Sequence, residues 1–389
     1  MTPAKSFYFA SRLAWRQLTH EKAKLFAAML GVLFACVLVF MQLGFRDALY
    51  ASIVKFPVAL EGDLFLMHKQ TEAIWRTVSF SRQQLKRAFA LPEVESADPV
   101  YIGMAQWKNP DKRTKRTLQL FGYDPDTELL RGDDIRSSRK KLLLQDTLIF
   151  DTLSRPEFGP VAEMLSGQRL FAEINDHRVE VVGTFKVGPS FAADGNAITS
   201  ELNFLRILPE RPAGRIDLGV IRLNPGSDVL AAQTALRKML DEDLNVMTHT
   251  EMVGAEMAYW QNSAPVGFIF GFGVVIGLVV GMVIVYQILF TDITNHLNEY
   301  ATLKAMGYSH RYLTFVVFAA ALFLAVAGFV PGLLISAVLY RIAEGVLYMP
   351  MPLGLGKIMT IFSLILGMCV VSGSIAMKKL KSANPADMF

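Results

Sequence analysis

Four apolar stretches, unevenly spaced, constrain this chain of 389 residues more than any single motif does. Leu25–Gly44 comes first and Pro265–Phe290 second, and they enclose a polar region of residues 45–264. The third and fourth, Tyr312–Tyr340 and Ile358–Met377, follow in quick succession near the end. Each is near or above the roughly 20 residues a helix needs to cross a bilayer. Hydrophobic residues make up 52% of the chain and charged residues 19%. That apolar excess is gathered into four blocks almost free of charge, where a soluble protein would spread it through a core. The pattern predicts a membrane α-helical protein with four transmembrane helices and a large mixed α/β extracytoplasmic domain between helices 1 and 2.

The flanking charges orient the spans. Residues 1–24 carry Lys5, Arg12, Arg16, Lys22 and Lys24, residues 291–311 carry Lys304 and Arg311, and the tail 378–389 carries Lys378, Lys379 and Lys381. The link 341–357 has only Arg341 and Lys357. Counted over short segments, this bias places both termini in the cytoplasm and residues 45–264 outside. The outer region holds 27 Lys+Arg against 30 Asp+Glu, so the net +4 of the whole chain comes from the membrane flanks and gives no reason to expect nucleic acid. Both cysteines, Cys36 and Cys369, fall inside apolar stretches. The outer domain therefore has no disulfide framework and needs an ordinary hydrophobic core, for which about 220 residues are ample. The first stretch is too long for a signal-peptide core, and Met41-Gln42-Leu43-Gly44-Phe45 offers no convincing cleavage site, so it reads as a retained anchor.

Residues 1–24 read as an amphipathic helix on the inner leaflet, with Phe7, Leu13, Ala14, Leu18 and Leu25 alternating with Arg12, Arg16 and Lys22. Helical character persists beyond the first span to Phe56, with Pro57 expected to end it, and again over Thr250–Trp260 before the second. Both stretches read as stalks. Between them the pattern is mixed. Strands are expected at Gly62–Met67, Pro99–Met104, Thr117–Gly122, Thr147–Phe150, Val179–Phe185, Asp217–Leu223 and Asn245–Thr248, with helices at Ser81–Phe89 and Asp228–Leu240. The two outer strand–helix–strand units read as one split subdomain around a β-rich middle of about residues 124–204. The basic stretches Lys108–Arg116 and Arg136–Lys141 read as solvated loops, with contact to an adaptor or to lipid headgroups as the sharper alternative.

In the second span Gly273, Gly277 and Gly281 recur every four residues and line one helix face, suited to close packing within the chain or at a dimer axis. Pro331 is expected to kink the third span. No P-loop occurs, since Gly354-Leu355-Gly356-Lys357 lacks the first glycine and continues into Ile358. The six histidines are scattered without a ligand spacing, and no serine sits in a nucleophile elbow, so neither metal nor hydrolytic chemistry is expected in this chain. The spans hold almost no charge, which argues against an ion-coupled carrier or a channel. Energy for any transport must then come from elsewhere. The informative cytoplasmic element is Asp292–Arg311, whose centre Glu299–Gly307 can form a short helix stopped by Gly307.

That centre, Glu299-x-x-x-Leu303-Lys304-Ala305-Met306-Gly307, resembles the E-x-x-x-L-[RK]-A-[MIL]-G signature of the FtsX/MacB/LolE-type ABC permeases, and it stands in the same place between spans two and three. The ending Ser382-Ala383-Asn384-Pro385-Ala386-Asp387-Met388 resembles that family's basic stretch followed by x-x-P-A-[ED]-A, and Ala14-Trp15-Arg16-Gln17-Leu18 matches its A-x-R-x-L helix in part. Tyr8–Trp15 and the wording of Glu299–Gly307 are most similar to the DevC-like permeases of cyanobacterial exporters. The resemblance implies a homodimer in the bacterial cytoplasmic membrane and a separate ABC ATPase that binds ATP and Mg, with no cofactor on this chain. It also implies a periplasmic membrane-fusion adaptor leading to a TolC-like outer-membrane duct, and contact with membrane lipids. His296, Glu299, Tyr300, Thr302, Leu303, Lys304, Met306 and Gly307 would couple to the ATPase, and a lipid, a glycolipid or another amphiphile would be the cargo. Two other functions fit the same layout: a signalling permease that activates a periplasmic hydrolase, and a membrane-anchored scaffold without transport.

Overall fold

The computed structural model describes residues 11–16, 19–20, 22–166, 169–263, 266–297, 299, 302, 306 and 310–382. Residues 11–16 are helical, whereas Phe7 and Leu18 of the N-terminal segment and the ending Ala383–Met388 lie outside the described residues. The chain then runs through α1 (Lys22–Ile53), α2 (Lys55–Ala59), β1 (Leu64–His68), β2 (Phe80–Ser81), α3 (Arg82–Arg87), β3 (Val94–Lys108), β4 (Lys115–Tyr123) and α4 (Asp133–Ser138). Next come β5 (Thr147–Asp151), α5 (Val161–Leu165), β6 (Leu170–Ile174), β7 (His177–Phe185), β8 (Asn196–Ser200), α6 (Glu201–Ile207), β9 (Arg215–Ile216), β10 (Leu218–Leu223), α7 (Val229–Met239), β11 (Leu244–Thr248) and α8 (His249–Ala258). A π turn at Tyr259–Ser263 precedes α9 (Val266–Asn295), α10 (His310–Leu347) and α11 (Leu355–Ser382). Of these helices, α1, α9, α10 and α11 are long and apolar enough to cross a membrane.

Two compact units result. One holds Met1–Asp47, Val266–Glu344 and Met351–Phe389, and the other holds Ala48–Pro265 with Gly345–Pro350. The boundary at Asp47 falls inside α1, so one unbroken helix contributes residues to both. That helix ends at Ile53, earlier than its composition predicts. A proline ring clashes with the carbonyl four residues before it, which for Pro57 is Ile53. The chain restarts at once as α2, where Pro57 lies in the first turn and its missing N–H costs nothing.

In the helical unit α1 is the hub. Ala28, Val32, Ala35, Cys36, Val39 and Phe40 on it are wholly buried. Glycines let its neighbours approach closely: a Cβ on Gly281 of α9 would lie 2.6 Å from the Ala35 Cβ, and one on Gly332 of α10 would lie 2.9 Å from the Cys36 Sγ. Large apolar side chains such as Phe26, Phe268, Phe272, Leu334 and Val346 point outward and are exposed, as expected of helices solvated by lipid.

The α/β unit is built on β3. The first part of this 15-residue strand, from Val94 to Val100, pairs with β10, and the second, from Tyr101 to Lys108, pairs with β4. From β4 the pairing continues through β8, β5 and β7 to β6, which returns to β3 through Trp107↔Ile174 and Lys108↔Glu173 and closes a ring of six strands. Its filling includes Trp107, whose ring lies 4.8 Å from that of Phe150 and whose Nε1–H donates to the Phe158 carbonyl at 3.0 Å. The other half is an open sheet in the order β11-β1-β10-β3. Its helices begin on side-chain caps: Ser81 accepts from the Gln83 N–H before α3, and Asp228 accepts from the Leu230 and Ala231 N–H groups before α7. Beside β11, Gln233 Nε2 and Arg237 Nε donate to the Val246 carbonyl at 2.9 and 3.0 Å. The Thr248 N–H donates to Glu251 at 2.8 Å within a capping box that starts α8.

Candidate functional site: the segment after α9 and the packing around α1

The last turns of α9 are anchored on one side and polar on the other. Leu289 and Ile293 are buried, while the hydroxyls of Thr291 and Thr294 donate back to the Gln287 and Phe290 carbonyls at 2.8 and 2.7 Å. His296 continues the turn: its N–H donates to the Asp292 carbonyl at 3.1 Å, and its Nδ1 lies 2.9 Å from that oxygen and 3.5 Å from the Asp292 carboxylate. This pair is nearly enclosed, with side-chain exposures of 12% and 14%, so His296 fixes the exit of the chain from α9. Beyond it Glu299, Thr302 and Met306 are all exposed, and the Met306 N–H donates to the Thr302 carbonyl at 3.0 Å. Glu299 and Thr302 are helical, and Met306 lies in a turn. Met306 shows 63% of its surface, a large apolar group turned outward. Tyr300, Leu303, Lys304 and Gly307 lie outside the described residues.

The structure places the glycine ladder of α9 against α1 of the same chain. A Cβ on Gly273 would lie 2.5 Å from the Gln42 amide, one on Gly281 would meet Ala35 and Met368, and one on Gly277 would make ordinary contact with Leu38 and Val39 at 3.5 and 3.6 Å. The ladder is thus occupied inside the subunit, and the exposed face of α9 carries Phe268, Phe272, Val275 and Val279 instead. Pro331 sits within α10, which continues on both sides of it as one helix. The lost backbone donor is accommodated without ending the helix, as neighbouring helices allow in such bundles.

A polar cluster that sequence reasoning missed closes the other end of the same unit. Lys357 Nζ lies 2.9 Å from the Asp47 carboxylate, donates to the Pro352 carbonyl at 3.0 Å, and stands 5.5 Å from the centre of the Tyr340 ring. Tyr340 in turn donates to the Phe40 carbonyl at 2.6 Å, and Gly44 leaves room for its ring. The Lys357 side chain is only 12% exposed, so this ion pair is shielded from screening and ties α1 to α11. Asp47 and Lys357 are far apart in sequence and share no periodicity, so only their both being charged residues at span ends gave any signal.

In the α/β unit the basic stretches are largely neutralised. Lys108 pairs with Glu173, Lys115 with Asp176 at 2.8 Å, Arg116 with Asp194 at 3.0 Å, and Arg139 with Glu128 at 3.1 Å. Glu256 on α8 is the notable buried acid. It accepts from the Ile74 N–H at 2.9 Å and from Trp260 Nε1 at 3.1 Å, yet burial still pushes its carboxyl above the usual range. Among the described residues no three His, Cys, Asp or Glu side chains converge as a metal site would require.

Residues 271–385, which include the whole segment after α9, match the family described as FtsX-like permease C-terminal. No curated protein matches the chain. Among solved structures, the periplasmic region of MacB from Actinobacillus actinomycetemcomitans is similar at 12% identity and a TM-score of 0.35, over 51% of this chain and 93% of that one. The extracellular domain of the ABC-type transporter YknZ from Gram-positive bacteria is similar at 14% identity and a TM-score of 0.33, over 48% of this chain and 99% of that one.

Proposed function

We propose that this chain is the permease subunit of a MacB-like (type VII) ABC exporter, in which a separate ATPase supplies the motion and the α/β unit uses it. The observation that carries this reading is the family match over 271–385, because it spans the exposed segment that would meet the ATPase. His296 fixes the exit of that segment from α9, and Glu299, Thr302 and Met306 offer a mixed polar and apolar surface for docking. Leu303 and Lys304 complete the same motif in sequence. When two ATPases close on ATP and Mg, the segment shifts, and α9 and α10 shift with it. The continuous α1, whose residues belong to both units, relays that displacement outward.

In this reading two copies of the chain work together in a bacterial cytoplasmic membrane, with both termini inside and the α/β unit in the periplasm. An adaptor and an outer-membrane duct receive the cargo, a lipid, a glycolipid or another amphiphile. The cargo need not cross the bundle, consistent with a tightly packed, largely apolar helical interior around α1. The test uses the chain reconstituted with its partner ATPase. Glu299→Ala combined with Leu303→Ala should abolish permease-stimulated ATP hydrolysis while insertion and melting stay unchanged, and stimulated hydrolysis at the parental rate in that double variant would remove the docking assignment.

A further inference from the structure

A cavity of about 590 Å3 in the α/β unit is a cleft with an apolar wall and, among the described residues, a lysine without an ion pair. Its volume lies within the roughly 300–1,000 Å3 of small-molecule sites. Phe150, Leu153, Val161, Tyr348 and Pro350 supply apolar surface, and Lys55 reaches it from the start of α2. The acid nearest Lys55 in effect, Asp151, is spent elsewhere. One of its oxygens accepts from the Leu153 and Val187 N–H groups at 3.1 Å each, and the other accepts from the Gly188 N–H at 2.7 Å and Asn196 Nδ2 at 2.9 Å. The other cation lining the cleft, Arg155, is held by Asp194 at 3.0 Å. Among the described residues Lys55 is therefore half-buried without an ion pair, and burial lowers its pKa against the opposing pull of the Asp151 charge.

Two backbone features lie at the cleft. Gly188 has φ +87°, and a Cβ there would lie 2.9 Å from Lys55 Nζ, so the glycine leaves the ammonium its position. Tyr348, directly after the end of α10, adopts φ +58°, a left-handed conformation in which a bulky residue is an outlier and glycine the usual choice. A tyrosine kept at such a position, with its ring partly exposed on the cleft, points to use of that ring. Glu163 at the same cleft disfavours a second negative charge on any ligand.

From this arrangement we infer that the cleft binds a single-chain amphiphile with a monoanionic head, the head on Lys55 and the chain along Phe150, Leu153, Val161 and Tyr348. As the identity of a cargo this rests on the permease reading above, whereas its test needs neither ATPase nor nucleotide, so either can fail alone. The full chain in phosphatidylcholine nanodiscs carries an environment-sensitive dye through Ala162→Cys, a position exposed on the cleft, while Cys36 and Cys369 are buried. Titration with lysophosphatidylglycerol should give a saturable blue shift, and lysophosphatidylcholine of the same chain length should bind about tenfold more weakly or worse. Lys55→Gln should bring the anionic ligand to the level of the zwitterionic one, and Lys55→Arg should restore the difference. Leu153→Glu, at an exposed position, should weaken the anionic ligand as much without touching the core. Equal binding of the two lysolipids by the parent, or parental affinity in both Lys55→Gln and Leu153→Glu, would overturn the inference.

Discussion

The two units differ in where their large apolar side chains go. The α/β unit encloses large aromatics completely, among them Trp107, Tyr101, Phe121, Phe158 and Phe204, and ties its polar groups into networks. The helical unit also buries Phe40, Leu324, Tyr340 and Ile361, but its closest approaches to α1 run through Ala, Val, Gly and Cys, and many of its Phe, Leu and Ile side chains are exposed. The difference follows from solvent. In water, burial of large apolar side chains drives folding, and big residues contribute most. In lipid that drive is absent, and helices associate where small residues let backbones pack closely.

The contrast can be broken from either side. The largest effect expected is that of Trp107→Ala, which empties the middle of the strand ring and removes the bond to the Phe158 carbonyl. It should cost about 3–5 kcal/mol in denaturant unfolding of the α/β unit, and a loss below about 1 kcal/mol would mean that the ring is not packed on its aromatics. The opposite substitution probes the bundle: Gly281→Val should cost about 1–3 kcal/mol through overpacking against Ala35 and Met368. An unchanged melting temperature of the protein in nanodiscs would show that α9 and α1 do not pack through this ladder.

The smallest effect should come from Glu251. The Thr248 N–H, with Gln233 and Arg237 nearby, holds its carboxyl below the usual range. A group lowered on folding contributes stability above its unfolded pKa and loses it as pH falls through the folded one. Glu251→Gln should therefore lower melting by no more than about 2–4 °C at pH 7, because the site is half exposed. Parent and variant should converge when melting is followed down to about pH 3. A gap that persists there would assign the effect to packing.

Legibility in the sequence followed locality. The four apolar helices and the α/β class of the insert were readable because hydropathy and side-chain period are local signals, as were the helices that begin near Ser81 and Asp228. The sequence starts this strand at Pro99 because Glu95, Ser96 and Asp98 look like loop residues, yet Ser96 and Asp98 pair with β10 across more than a hundred positions. Closure of the ring through two residue pairs, and the Asp47–Lys357 contact, left no trace at any fixed spacing. In the candidate site the Glu299–Gly307 wording carried the signal, and the family match falls on the same residues. The role of His296 in turning the chain depends on Asp292 one turn earlier, a pairing visible only once the helix is built.

One consequence of the β topology concerns neighbours. A strand with unpaired backbone groups is a template on which another chain can grow. In the ring, β6 meets β3 only at Glu173 and Ile174, and β11 lies at a margin of the open half. There the Leu244 N–H is taken by the Asp241 carbonyl, the Val246 carbonyl by Gln233 and Arg237, and the Thr248 N–H by Glu251. With those groups taken, a neighbouring strand finds fewer free backbone partners along β11.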